Sequence, residues 1–227
     1  MLGLVVLRWR ALPNVTERWS VWNALAALTG ALLSLALHDM RPALAVTVGS
    51  LCCMYLAAAP SGVVLASAIT AGRTAMLCAA LAFAPEHGAL IAGATLVNFT
   101  LDGLDGWVAR RFDQVSDFGA RFDMESDSHT VLLLDLWLVV QAGFPAWVLI
   151  AGVLRYAFVL CRFVAGPRVH KERRSRFSRW VFSLLVVSRA FACLPDVRGL
   201  SLPLLALATL AVCVSFAPDF YGLRPER

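Results

Sequence analysis

Charged side chains are scarce in this chain, and lysine is almost absent. Asp, Glu, Lys and Arg make up 15% of the 227 residues, whereas 59% are hydrophobic and the mean hydropathy is +0.73. Nineteen of the twenty basic residues are arginines, and the exception is Lys171. Because a soluble domain carries about a quarter of its residues as charged ones, the composition excludes that class and favours one compact membrane domain.

Motifs for soft metals and for nucleic acids are also missing. None of the six cysteines has a Cys-x2-Cys or Cys/His spacing, so we interpret them as small buried hydrophobes rather than as metal ligands. No aromatic-basic RNA motif or DNA-reading helix is evident, and a nucleic-acid partner is not expected. In a membrane protein the net charge of +5 is typical of loops that lie near anionic lipid headgroups.

Long apolar segments, separated by Pro, Gly and Asp breakers, repeat along the whole chain. Each is close to the ~20 residues that a helix needs to cross a bilayer. The pattern predicts an all-α integral membrane protein, a polytopic bundle of about eight transmembrane helices. The segments cover residues 19–37, 43–59, 64–83, 88–104, 118–140, 146–165, 180–194 and 200–217.

The arginines predict how such a bundle is oriented. With eight spans, four basic groups fall on one side of the membrane, and only Arg41 and Arg198 fall on the other. The positive-inside rule makes the richer side cytoplasmic, with both termini inside. The four groups are Arg8 to Arg18, Arg110 to Arg121, Arg168 to Arg179, and Arg224 with Arg227.

Four aspartates at regular spacings, Asp102, Asp105, Asp123 and Asp127, lie in a 26-residue window that holds seven of the fifteen acidic residues. Residues three or four apart share a helix face, so Asp102 and Asp105 predict one carboxylate face, and Asp123 and Asp127 predict another. If the two faces meet, the carboxylates repel one another unless a cation neutralises them. Hard oxygen ligands suit Mg2+ or Mn2+, and charge this close to a bilayer is costly and normally functional.

The aspartates belong to a longer frame, Asp102-x2-Asp105-Gly106-x2-Ala109-Arg110-x8-Gly119-x3-Asp123-x3-Asp127. All eight fixed positions match the signature of the CDP-alcohol phosphatidyltransferase family, which the chain resembles over about residues 62–218. The resemblance implies a six-helix core over 62–218. An extension, 1–61, would add two transmembrane helices and a possible amphipathic segment, and a cytoplasmic tail, 219–227, would follow.

The resemblance also implies a reaction. A phosphatidyl group, or another substituted phosphate, passes from a CDP-linked lipid such as CDP-diacylglycerol to the hydroxyl of a small alcohol, and CMP leaves. Two Mg2+ or Mn2+ ions are implied, bound by Asp102, Asp105 and Asp123 with Asp127 at the edge of the cluster. Asp127 is the implied catalytic base. The family further implies a homodimer, and the arginine-rich chain leans towards a bacterial inner membrane.

Six residues are expected to contact the nucleotide on the strength of the resemblance. Four of them belong to the frame, and for its three small residues the alternative is close packing of membrane helices. Thr70 and Arg73 lie in an Ile-Thr-x2-Arg setting similar to the first core helix of the family, and Asn98, one turn before Asp102, could support them. The six are Gly106, Ala109, Arg110, Gly119, Thr70 and Arg73.

Arginines inside apolar segments usually meet an anion or a carboxylate. Arg155, Arg162 and Arg189 could therefore form a pocket for a phosphorylated acceptor, or pair with the intramembrane Asp135, or reach the headgroups. Glu125 lies outside the signature, and we expect it to be solvated or to cap a helix.

Two other functions remain open from sequence. A membrane transferase that uses prenyl diphosphates would need a second, distant aspartate motif, which is absent here. A divalent-cation transporter or a scaffold would have no need of all eight signature positions. The acceptor stays undecided among serine, glycerol 3-phosphate, inositol phosphate, choline and less common alcohols.

Overall fold

The structure is a computed structural model that describes residues 15–58, 65–165 and 176–222. Within these ranges all regular structure is helical, as predicted. The possible amphipathic segment before residue 15, the basic residues 168–174 and the tail from 223 lie outside the described residues. The described residues form eight α-helices: α1 (Val15–Leu37), α2 (Arg41–Ala58), α3 (Leu65–Phe83), α4 (Gly88–Arg111), α5 (Asp117–Val140), α6 (Leu149–Ala165), α7 (Arg176–Ala192) and α8 (Arg198–Tyr221).

Each predicted apolar segment corresponds to one of these helices. The largest difference is at the end of α4. This helix continues beyond residue 104 to Arg111, and so contains the first half of the aspartate frame, Asp102 to Arg110. Short 3-10 turns, Ala146–Val148 and Pro195–Val197, precede α6 and α8. At both places a proline begins the turn or stands just before it, because its fixed φ suits the start of a helix.

Four helices in the described part of the chain are long and apolar enough to cross a membrane. They are Glu17–Leu37, Leu65–Phe83, Ala146–Ala165 and Gly199–Tyr221. Helix α2 contains a shorter apolar stretch, Arg41–Leu56. In α5, by contrast, acidic residues interrupt the apolar sequence at Asp123, Glu125, Asp127 and Asp135.

Helix α5 lies at the centre of the bundle, in contact with α1, α2, α3, α6 and α7. Residues 131–138 of α5 are all buried, and all of them except Asp135 are apolar, as expected for a segment that is enclosed by other helices. The second half of the aspartate frame, with Asp123 and Asp127, therefore lies on a helix that five other helices contact.

Helices α3, α4 and α5 alternate in direction, as contacts at the two ends of the bundle show. At one end, the Ala66 amide at the start of α3 donates to Gln114 Oε1 after α4 at 3.3 Å. At the opposite end, Trp137 Nε1 of α5 donates to the carbonyl of Pro85 at 2.8 Å. The C-terminal part of α4 and the N-terminal parts of α3 and α5 consequently meet at the same end.

Candidate active site

A tight turn between α4 and α5 brings the two halves of the aspartate frame together. Helix α4 ends at Arg111, and Asp113 then takes a left-handed conformation with φ of 52°, which aspartate tolerates better than most residues. Ser116 begins α5 as its N-cap, because its Oγ accepts from the Gly119 amide at 3.0 Å and satisfies one of the free amides of the first turn. The carboxylates before and after the turn thus face the same space.

Three carboxylates form a cluster with the geometry of a cation site. Asp102, Asp123 and Asp127 each offer one oxygen, and these oxygens lie within 4.8 Å of one another. Their side chains are 26%, 28% and 20% exposed, so a ligand can reach them from solvent. Hard oxygen donors in this number suit a partly hydrated Mg2+ or Mn2+, and the residues fit the implied metal.

Arg73 of α3 reaches all four aspartates of the frame. Its Nη2 lies 2.7 Å from Asp123 Oδ1, 2.9 Å from Asp127 Oδ1 and 3.1 Å from Asp102 Oδ1, while its Nε lies 3.3 Å from Asp105 Oδ2. The Arg73 side chain is only 1% exposed. Sequence predicted a nucleotide contact here; the structure places the guanidinium among the carboxylates, where it neutralises part of their charge.

Asp105 lies deeper than the other three aspartates and outside the cation cluster. It is buried, and it accepts a hydrogen bond from Thr70 Oγ1 at 2.7 Å in addition to the Arg73 contact. Asn98 supports the arginine from α4: its Oδ1 accepts from Arg73 Nη1 at 3.0 Å, and its Nδ2 donates to the Arg73 carbonyl at 2.9 Å. Thr70 and Asn98 therefore orient the charged groups that surround the site.

The small residues of the frame, Gly106, Ala109 and Gly119, are each only partly buried. A Cβ built on Gly106 would meet first the guanidinium of Arg110 at 3.3 Å, not a neighbouring helix. A Cβ on Gly119 would meet its own N-cap, Ser116 Oγ at 3.1 Å, and Ser67 Oγ of α3 at 3.7 Å. Close helix packing does not account for Gly106, whose neighbour Arg110 is exposed, and Ala109 is half-buried on the same helix.

The three arginines of the predicted acceptor pocket each contact a different carboxylate. Arg155 Nη2 lies 2.7 Å from Glu125 Oε1, Arg162 Nη2 lies 2.8 Å from Glu17 Oε1, and Arg189 Nε lies 2.9 Å from Asp135 Oδ1. Pairing with Asp135 was one of the predicted alternatives, and Arg189 is the arginine that makes this pair. Each arginine is thus engaged within the bundle in this structure.

The expectation that Glu125 is solvated or capping is wrong. Glu125 is 1% exposed and accepts hydrogen bonds from Ser20, Asn23 and Arg155. Its side chain lies on the face of α5 opposite to Asp123 and Asp127, towards α1 and α6. The spacing of Glu125 and His129, four residues apart in an apolar helix, was the available signal for a second polar face.

Comparisons with known proteins point to the same family as the aspartate frame. The model of the family described as CDP-alcohol phosphatidyltransferase matches residues 63–216. CDP-diacylglycerol–inositol 3-phosphatidyltransferase 1 of Arabidopsis thaliana is 32% identical over 126 residues, which cover 53% of this chain and 55% of the relative. Probable CDP-diacylglycerol–inositol 3-phosphatidyltransferase 2 of the same plant is 29% identical over 144 residues, covering 60% and 63%.

The matched part of the chain thus spans little more than half of the length of these curated relatives. No solved structure is significantly similar to the chain.

Proposed function

Because the chain belongs to the CDP-alcohol phosphatidyltransferase family, we propose that it transfers a phosphatidyl group from a CDP-linked lipid to the hydroxyl of a small alcohol and releases CMP. The observation that carries the proposal is the cluster of Asp102, Asp123 and Asp127, whose oxygens lie within 4.8 Å of one another beside small residues. A pyrophosphate donor needs such a cation site because its negative charge must be neutralised before an alcohol can attack.

The proposed cofactor is a pair of Mg2+ or Mn2+ ions, held by Asp102, Asp123 and Asp127 with Asp105 beside them. When bound, such ions neutralise the pyrophosphate oxygens and stabilise CMP as the leaving group. Arg73 and Arg110 supply the remaining positive charge, and a guanidinium can pair with phosphate through two parallel hydrogen bonds. Gly106, Ala109 and Gly119 leave room for the nucleotide, and Thr70 holds Asp105 in place.

Asp127 is the proposed base. The acceptor hydroxyl loses its proton to the Asp127 carboxylate while its oxygen forms a bond to the phosphorus of the phosphatidyl group. The bond between that phosphorus and the CMP oxygen breaks, and CMP carries away the electron pair. The 20% exposure of Asp127 allows a small alcohol to approach it directly.

Inositol is the first acceptor to test, because both relatives bear an inositol transferase name. The contacts of the arginines point in the same direction. Arg155, Arg162 and Arg189, which sequence offered as a phosphate pocket, are each paired with a carboxylate. For any of these three arginines to bind the phosphate of an acceptor, its pair would have to break, so their contacts favour a neutral alcohol over inositol phosphate or glycerol 3-phosphate.

We further propose the predicted membrane arrangement. Eight spans, six of them in a core over residues 62–218, would place the site at the cytoplasmic face. The exposed Arg110 and Arg111 at that end of the bundle fit the positive-inside rule. A homodimer and a bacterial inner membrane stay predictions, and the relatives found are plant proteins.

The test is CMP release by purified protein in detergent with CDP-diacylglycerol, Mn2+ and separate acceptors. The panel contains inositol, inositol phosphate, glycerol 3-phosphate, serine and choline. We expect metal-dependent release with inositol above the others. Release with a phosphorylated acceptor alone would overturn the choice of a neutral alcohol, and neither release nor binding of CDP-diacylglycerol would overturn the transferase proposal.

A further inference from the structure

Two helices that lie outside the family match contact the reverse side of the catalytic helix. Helices α1 and α2 precede residue 63, where the match begins, yet both pack against α5. We propose that Asn23 of α1 and Glu125 of α5 are positioning residues that fix how α5 is rotated, and so hold Asp123 and Asp127 in the geometry that binds the metal. This inference rests on the proposed function for its metal site.

Helix geometry places Glu125 directly behind the site. Two residues along a helix turn it by about 200°, and Glu125 follows Asp123 by two and precedes Asp127 by two. The aspartates therefore face Arg73 on α3, whereas Glu125 faces α1 and α6. His129, one turn further on, lies on the same face as Glu125.

Glu125 is held from two helices at once. Its Oε1 accepts from Ser20 Oγ at 2.9 Å and from Arg155 Nη2 at 2.7 Å, and its Oε2 accepts from Asn23 Nδ2 at 2.6 Å. The residue is 1% exposed, so each of these bonds is made away from bulk water, where directional polar contacts specify geometry most strongly.

Asn23 extends the network from Glu125 to α2. Because a carboxylate only accepts, the Asn23 amide nitrogen must face Glu125, and its oxygen then accepts from Ser50 Oγ and from His129 Nε2, the latter at 2.8 Å. His129 Nδ1 in turn accepts from Thr47 Oγ1 at 3.0 Å. Asn23 is therefore the residue at which α1, α2 and α5 are joined.

Apolar contacts alone specify the rotation of α5 weakly, because the buried residues 131–138 are all apolar except Asp135 and similar apolar side chains on neighbouring faces can replace one another. A set of directional hydrogen bonds on one face removes that freedom. The opposite face carries the metal ligands, and ligands that deviate by about half an ångström lose much of their function. The N-terminal helix pair is thus part of the framework of the site.

The experiment compares Mn2+ binding by purified full-length variants, measured by the electron paramagnetic resonance of free Mn2+. The variants Asn23→Leu and Glu125→Gln change the network without touching the metal ligands. We expect each to weaken Mn2+ binding by roughly tenfold or more, the range found when groups that orient metal ligands are removed. Turnover should recover at high Mn2+, with an unchanged KM for CDP-diacylglycerol.

A matched control lies on the same helix. Asp135, eight residues and about 12 Å beyond Asp127, is a fully buried carboxylate that accepts from Arg189 and from the Gly152 amide. Asp135→Asn should lower thermal stability while leaving Mn2+ affinity within about twofold. Ser20→Ala, which removes one of the bonds to Glu125, gives a milder variant with a smaller loss of affinity if the stronger changes prevent folding.

Wild-type affinity in Asn23→Leu and Glu125→Gln at reduced stability would overturn the inference, and so would an equal loss of affinity in Asp135→Asn. Because Mn2+ binding is measured without turnover, a protein that binds Mn2+ but transfers nothing would count against the proposed reaction alone.

Discussion

The guanidinium of Arg73 on α3 lies 2.9 Å from the Asp127 carboxylate on α5, and the same Nη2 atom contacts Asp102 and Asp123. These three aspartates also define the candidate cation cluster. The arginine and a divalent ion thus compete for the same three carboxylates. We expect a bound ion to weaken or replace the contacts of Arg73 with these aspartates, and the guanidinium could then bind the phosphates of the donor.

Replacing Arg73 by glutamine separates these two roles. We expect Arg73→Gln to lower the thermal stability of the metal-free protein, because the carboxylates lose their counter-charge. We also expect it to tighten Mn2+ binding by about tenfold, since removing one competing unit charge close to carboxylates is worth on the order of 1 kcal/mol even when well screened. Titration calorimetry with Mn2+ measures the affinity, and Arg110→Gln, at an exposed arginine of the same frame, is the control. Weaker Mn2+ binding in Arg73→Gln would contradict the competition.

Metal removal should lower both stability and turnover. A ligand that binds only the folded state at 100 times its Kd stabilises it by about 2.7 kcal/mol, so saturating Mn2+ should raise the melting temperature of protein stripped with chelator. Asp102→Asn should abolish that rise, whereas Asp113→Asn, an exposed acid in the turn after α4, should retain it. An equal rise in melting temperature in wild type and Asp102→Asn would mean that the metal binds elsewhere.

Replacing either of two glycines by alanine should affect a different property: substrate binding at Gly106 and thermal stability at Gly152. At Gly106 the added methyl lies on the open side near Arg110, so we expect Gly106→Ala to raise the KM for CDP-diacylglycerol with little change in melting temperature. At Gly152 the methyl would lie 2.8 Å from the Leu132 Cα, and overpacking of this kind costs about 1–3 kcal/mol. Gly152→Ala should therefore lower the melting temperature by several degrees. Thermal melts and kinetics of both variants provide the check. A destabilised Gly106→Ala with an unchanged KM would assign that glycine to packing.

The helices and the aspartate frame were predictable because both are local patterns. Apolar segments of near-bilayer length predicted the eight helices of the described residues, and spacings of three and four predicted the shared faces of Asp102 with Asp105 and Asp123 with Asp127. The position of Arg73 was not predictable, because spacing within a helix does not say which neighbour its polar face meets. That partner is set by packing between helices distant in sequence.

Glu125, on the opposite face of α5, shows the same limit of prediction from sequence. Its position opposite the aspartates follows from the sequence, but its partners Ser20 and Asn23 lie about a hundred residues away, and no local pattern connects them. The carboxylate partners of Arg155 and Arg189 could be predicted only in part, for the same reason. Asp135 was foreseen as one alternative, and it pairs with Arg189, whereas Arg155 pairs with Glu125.

The measurement that tests the central claim most directly is Mn2+-dependent CMP release from CDP-diacylglycerol and inositol by wild type and Asp127→Asn, with donor binding measured in parallel. The account predicts release by the wild type and a fall of roughly 10²- to 10⁴-fold in kcat for the variant, the usual contribution of a general base, with donor binding retained. Equal release by both proteins would contradict the role of Asp127, and no release by the wild type with any alcohol would contradict the proposed reaction.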